Sequence, residues 1–316
     1  MKIIKQIFKE IKNANTIVIG RHIGPDPDCI GAQNALKELI KLMFPTKNVF
    51  VLGANTKKLS YLGVMDRINE EDIEHDLLII VDTPNISRID SINVDLYKQV
   101  IKIDHHLFIE DFNGIEWVDI TATSACEMII QFIFKLKLPI NDIIATNLYV
   151  GVMSDTNRFL HLNHNYRSIE LISKLLEKNP LPLQDIHHQM YERNINEWRF
   201  QGYLISNIES TKHGVGYIHI TDNVLKEFKV DVGSAGNLIN SFLNIKELPV
   251  IVFFTEDVRN KNTRVSIRSS IVNIHRVAEA FGGGGHPLAA GTRLNDEKDI
   301  NKIIEALDKL LKDTKE

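Results

Sequence analysis

Cysteine is close to absent from this chain of 316 residues: only Cys29 and Cys126 occur. Two thiols give no disulfide framework, and both are expected to be small buried hydrophobes in a reducing compartment. No apolar run approaches the roughly 20 residues that a membrane-spanning helix needs, so no membrane span is expected. Excess positive charge is missing as well: 37 Lys and Arg face 41 Asp and Glu, a net charge of −4. A long nucleic-acid footprint needs a basic face to displace counterions, which argues against long DNA and leaves room for a short or small anionic substrate. Repeats and low-complexity tracts are also lacking. The opening stretch has no continuous apolar core of the signal-peptide kind, because lysines recur among its apolar residues. Ile3, Ile4, Ile7, Phe8 and Ile11 instead form one face of an amphipathic helix. A cytoplasmic protein of two domains is expected from this composition and from a length prior of about 150 residues per domain.

What the chain does have is centred on Arg21-His22-Ile23-Gly24-Pro25-Asp26-Pro27-Asp28-Cys29-Ile30-Gly31. The apolar run Thr16 to Gly20 before it reads as a buried strand, and Ile30 to Met43 after it as a helix. One imidazole and two carboxylates thus sit in a proline-stiffened turn at a strand end, where open α/β sheets bind ligands. The donor types suit hard or borderline divalent cations. The pattern recurs. Leu77 to Val81 is a strand that ends in Asp82, and Val100 to Ile103 one that ends in Asp104-His105-His106. Asn141 to Met153 reads as a buried helix running into Asp155. Ile115 to Val118 is a further short strand, and Ser124 to Leu138 a helix with Thr123 as its cap. Alternating strands and helices imply a mainly parallel sheet, whose strands bring their carboxyl ends to one edge. His22, Asp26, Asp28, Asp82, Asp104, His105, His106 and Asp155 are therefore expected to converge.

A linker helix is expected over residues 183–205, between a first domain at 1–182 and a second at 206–316. His187-His188 lies in it and reads as a packed helix pair, since adjacent helical positions do not face one ligand. In the second domain, Gly216 to Ile220, Pro249 to Phe254 and Arg264 to Ser269 read as strands. The run Phe281-Gly282-Gly283-Gly284-Gly285-His286 lacks the Gly-Lys-Ser/Thr ending of a nucleotide-triphosphate loop. It reads either as a flexible turn or as an anion nest of successive N–H groups, completed by His286, Arg264 and Arg268. Asn157, Arg158 and Tyr191 are weaker candidates for lining the cleft.

These residues resemble the DHH phosphoesterase superfamily, in the branch whose second domain is the DHH-associated domain of the RecJ-like kind. The likeness rests on His22-x-x-x-Asp26-x-Asp28, Asp82, Asp104-His105-His106, Asp155-Thr156 and Gly283-Gly284-Gly285-His286, and spans nearly the whole chain. It implies an α/β chain of two domains, a mainly parallel DHH domain and a smaller α/β domain, with a cleft between them. It implies two Mn²⁺ ions, with Mg²⁺ or Co²⁺ as substitutes. His22 and Asp26 would bind one ion, Asp28, His105 and Asp155 the other, and Asp82 would bridge. His106 would face the substrate phosphate, oriented by Asp104. Arg264, Arg268, Gly284, Gly285 and His286 would hold a phosphate. Compact members of this branch hydrolyse short RNA oligonucleotides and the mononucleotide bisphosphate pAp, as monomers or homodimers. A cyclic di-AMP/pApA phosphodiesterase and a non-catalytic nucleotide- or RNA-binding module remain open alternatives.

Overall fold

The computed structural model describes residues 1–160, 166–296 and 298–315, apart from the side chains of His286 and Lys315. The chain divides into two compact units, Met1–Tyr191 and Glu192–Glu316. The first contains, in order, α1 (Lys2–Asn13), β1 (Thr16–Gly20), α2 (Pro27–Met43), β2 (Asn48–Val51), β3 (Leu77–Val81), β4 (Gln99–Asp104) and β5 (Ile115–Val118). Four helices follow, α3 (Ala125–Leu136), α4 (Asp142–Asp155), α5 (Arg167–Lys178) and α6 (Leu183–Tyr191).

The five strands form one wholly parallel sheet in the order β2-β1-β3-β4-β5. Every residue of β1 and β3 is buried, as expected for central parallel strands covered on both faces. Ile17, Ile19, Ile79 and Ile103 face a core shared with the helices. Val18, Leu78, Ile80 and Val100 face a smaller core closed by side chains such as Leu52, Ile89 and Phe112, from segments outside the helices. On α1, Ile4, Ile7 and Ile11 are buried, and Phe8 packs its ring near Phe44 and Phe132. Helices α2 and α4 approach closely through glycines. A Cβ on Gly31 would meet the carbonyl oxygen of Asn147 at 2.5 Å, and one on Gly151 would overlap Cys126 Sγ and reach Asp28 Oδ1 at 2.9 Å.

Two helix starts differ from expectation. Helix α2 begins at Pro27, not Ile30: proline fills the first helical position, where its missing N–H costs nothing, and Asp26 caps it by accepting from Cys29 N at 3.0 Å. Asp28 therefore belongs to the first helical turn and not to the loop. Helix α3 is capped by Ser124. The Thr123 hydroxyl turns away to Glu127 and Ser168.

The second unit contains α7 (Ile195–Asn207), β6 (Glu209–Ser210), β7 (Val215–Ile220), α8 (Asp222–Phe228), α9 (Val232–Leu238), β8 (Val250–Asp257) and β9 (Asn262–Ser269). It continues with α10 (His275–Ala280), β10 (Gly284–His286), β11 (Ala289–Leu294) and α11 (Lys298–Lys315). Its mixed sheet runs β10-β11-β9-β8-β7-β6, with only β7 and β8 parallel. The stretch 183–205 is two helices. Ile186 of α6 joins the first unit's core, whereas Phe200 and Leu204 of α7 join a cluster of the second. The break is at Asn194, which caps α7 by accepting from Asn196 N and Glu197 N.

Candidate metal centre

In the order β2-β1-β3, the chain leaves β1 for one side and reaches β3 on the other, which opens a crevice at the strands' carboxyl ends. His22, Asp82 and Asp104-His105 stand at the ends of β1, β3 and β4. Arg21, fully buried, fixes the first turn: it donates to His22 O (2.9 Å) and Asp90 Oδ2 (2.8 Å). His22 Nδ1 faces Ile23 O at 3.0 Å. A carbonyl only accepts, so Nδ1 carries a proton and Nε2 is the nitrogen turned inward, toward Asp26 and Asp82.

Asp82 is the hinge of the site. It is 2 % exposed and has φ +53°, a left-handed conformation that Asp tolerates better than most residues. Its two oxygens part company: Oδ2 lies 3.3 Å from His22 Nε2, and Oδ1 lies 3.2 Å from His105 Nε2. Asp82 Oδ1 and His105 Nε2 are both buried without a hydrogen-bond partner among the described residues. Around this hinge, three donor groups each have their ligand atoms within 4.8 Å of one another: His22, Asp26, Cys29 and Asp82; Asp82, His105 and His106; Asp28, His105 and Asp155. Asp26 caps α2 with Oδ1 and turns Oδ2 to His22 Nε2 at 3.3 Å. Asp155, the last residue of α4, places Oδ2 3.4 Å from His105 Nε2. Asp28 accepts from Ala125 N (2.7 Å) and Cys126 N (3.0 Å), so the start of α3 steadies its charge.

The electrostatics fit a cation. Burial, then the charge of Asp82, pushes Asp28 up to about 7. Burial and the charges of Asp28 and Asp26 raise Asp155 well above the carboxylate range. Burial opposes ionisation of Asp82, yet the imidazoles of His105 and His22 beside it outweigh burial and hold Asp82 low. Burial likewise works against charge on His105, but Asp82, Asp155 and Asp28 raise it to about 10. His22 is raised in the same way, by Asp26 and Asp82. Imidazolium protons thus supply positive charge where carboxylates crowd, and a divalent cation would supply it in their place. Mixed imidazole and carboxylate donors with an orphaned oxygen fit first-row divalent cations.

A pH dependence follows. Asp28 and Asp155 hold protons in the folded, metal-free chain that the unfolded chain releases above its ordinary carboxylate range. Raising pH toward neutrality therefore removes stability from the metal-free fold. A cation displaces those protons, so its stabilisation grows over the same range. At a hundredfold excess over Kd the gain is about 2.7 kcal/mol, or roughly 5–10 °C in Tm. The cation-induced rise in Tm is expected to be larger at about pH 8 than at about pH 5.5. Differential scanning fluorimetry checks this, and an equal or reversed shift contradicts it.

Beside these donors, Asp104 Oδ1 accepts from His106 Nδ1 at 2.8 Å and lies 3.4 Å from the His106 backbone N. The carboxylate fixes the ring's tautomer and orientation. Sequence reasoning missed what lies beneath. Lys102 of β4 is fully buried, donates to Pro84 O (3.0 Å) and Glu110 O (3.3 Å), and stands 3.9 Å from Asp104 Oδ2. The available signal was a lysine inside the otherwise apolar strand Val100-Ile101-Lys102-Ile103. Cys29, read only as a small hydrophobe, also belongs to the first donor group. Burial, then the charge of Asp26, pushes its thiol up to about 12. Of the weaker candidates, Arg158 stacks 5.2 Å from the Tyr191 ring centroid and donates to Asn157 Oδ1. His187 Nε2 pairs with Tyr149 OH at 2.7 Å.

In the second unit the glycine run passes from a turn at Phe281-Gly282 into a strand. Gly284 to His286 form edge strand β10, paired antiparallel with Ala289 to Gly291. Ala289 in turn pairs with Arg268, so Ala289 has His286 and Arg268 as its register partners on either side. Arg264, four residues from Arg268 on β9, shares its face of the strand, and Arg268 Nε donates to Asn240 Oδ1 at 2.8 Å. The His286 side chain lies outside the described residues.

Comparison with known proteins adds a lineage. Residues 16–152 match the DHH family, N-terminal domain, and residues 215–313 the DHHA1 domain. A Bacillus subtilis protein named bifunctional oligoribonuclease and PAP phosphatase NrnA is 30% identical, over 98% of this chain and 98% of its own. A Streptococcus mutans protein named as a probable enzyme of the same kind is 35% identical, over 99% and 100%. The crystal structure of an exopolyphosphatase-related protein from Bacteroides fragilis superposes with a TM-score of 0.89 at 27% identity, covering 98% of each chain.

Proposed function

The chain belongs to the DHH family, with a DHHA1 domain behind its DHH domain, and from that premise we propose that it is a Mn²⁺-dependent phosphoesterase of short RNA. It would hydrolyse oligoribonucleotides of a few residues to nucleoside 5′-monophosphates and convert pAp to AMP, in the cytoplasm. Two full-length relatives with those activities in their names support the substrate class. The observation that carries the reading is Asp82, whose oxygens turn to two different imidazoles between two donor groups.

His22, Asp26 and Asp82 would hold one cation, and Asp28, His105, Asp155 and the other Asp82 oxygen a second. Such a pair would supply Lewis acidity toward the phosphoryl oxygens and would acidify water. The chain's own residues do the rest. Asp104 holds His106 by Nδ1 and so orients a ring that would donate to the phosphoryl group or to the leaving oxygen. Lys102 ties the loops after β3 and β4 together through Pro84 O and Glu110 O, and so steadies Asp82 and His106 alike. Arg264, Arg268 and the strand Gly284–His286 would take a terminal phosphate.

The test is a panel of di- to pentaribonucleotides, pAp, pApA, cyclic di-AMP and long RNA, incubated with dialysed protein and added Mn²⁺. Nucleoside monophosphates from the short RNAs and AMP from pAp are expected. Turnover confined to cyclic di-AMP and pApA would move the assignment to those substrates. Binding without turnover of any of them would contradict it.

A further inference from the structure

We propose that Cys29 Sγ is a fourth donor to the cation position formed by His22, Asp26 and Asp82, which adds affinity there for thiophilic divalent cations such as Co²⁺, Zn²⁺ and Cd²⁺ while leaving Mn²⁺ to the other three donors. The inference rests on the reading that those three residues hold a cation. Cys29 is the third residue of α2, and the helix cap fixes its direction. Its backbone N donates to Asp26 Oδ1 at 3.0 Å, while Asp26 N donates back to Cys29 Sγ at 3.3 Å. The thiol itself lies 3.4 Å from Asp26 O, so it is held against the backbone of the cap. Its sulfur, a ring nitrogen of His22 and carboxylate oxygens of Asp26 and Asp82 all lie within 4.8 Å of one another.

The spacing is that of a coordination shell. Donors about 2.1 Å from a tetrahedral cation are separated by about 3.4 Å. His22 Nε2 stands 3.3 Å from both Asp26 Oδ2 and Asp82 Oδ2. Cys29 Sγ is the remaining donor of that group. The residue is fully buried. On coordination the S–H bond breaks, the metal–sulfur bond forms and the proton passes to buffer, with no change of oxidation state. Sulfur adds much to the affinity of cobalt, zinc and cadmium and little to that of manganese or magnesium.

The test is the absorption spectrum of the full chain loaded with Co²⁺, with bound metal measured on the same samples. Wild type and Cys126→Ala are expected to show a thiolate-to-cobalt charge-transfer band in the near ultraviolet. Cys29→Ala and Cys29→Ser are expected to lose it, and to lose about tenfold or more in Cd²⁺ affinity. Bound Co²⁺ without the band in wild type overturns this proposal alone. A band that survives in both Cys29 variants overturns it as well. Failure to bind Co²⁺ at all overturns it together with the cation reading on which it rests.

Discussion

Asp82→Asn is expected to lower kcat/KM on short oligoribonucleotides by about 10³-fold or more, equivalent to about 4 kcal/mol of transition-state stabilisation. Asparagine keeps the size of the side chain and accepts the left-handed backbone at φ +53° as readily as aspartate, so the fold should survive. What it loses is one acceptor oxygen and the negative charge. Oδ1 and Oδ2 face His105 and His22 separately, so an amide can serve one of them and must turn an NH₂ group toward the other. Both donor groups that share Asp82 are damaged by one atom's replacement. Circular dichroism should be unchanged while activity collapses. A loss of less than about tenfold at saturating metal would contradict the role assigned to this residue.

His106→Ala should separate chemistry from metal binding. A positioned proton donor contributes about 10²–10⁴-fold, so kcat should fall by that factor while bound Mn²⁺ and KM change little. The reason is geometric: His106 spends Nδ1 on Asp104. Asp104→Asn should give a smaller loss, about 10–100-fold, because it disturbs only the ring's orientation and tautomer. Kinetics on a dinucleotide, with metal content measured in parallel, distinguish the cases. Loss of bound metal in His106→Ala would make that histidine a ligand and contradict the assignment.

The strand ends were readable from sequence because their physics is local. Thr16–Gly20 and Leu77–Val81 are apolar runs of strand length, and parallel strands must present their carboxyl ends together. His22, Asp82 and Asp104-His105 followed from that. Asp28 was harder to place, since whether Pro27 closes a loop or opens a helix depends on Asp26 capping the turn. Gly284–His286 could not be read as a strand from its own residues. Glycine has no side chain to show a period, and its pairing is imposed by Ala289–Gly291. Ala289 to Leu294 was missed for the related reason that its small residues carry little alternation. Lys102 and Cys29 were legible only as types, a charge in a strand and a small apolar residue in a helix. Their roles depend on neighbours far along the chain: Lys102 on Glu110 and Pro84, Cys29 on Asp82.

The most direct measurement of the central claim is the number of Mn²⁺ ions bound per chain, by equilibrium dialysis of metal-stripped protein with elemental analysis. Two ions per wild-type chain are predicted, with the count reduced in Asp82→Asn and retained in His106→Ala. A wild-type chain that binds one ion or none would contradict a paired-cation centre.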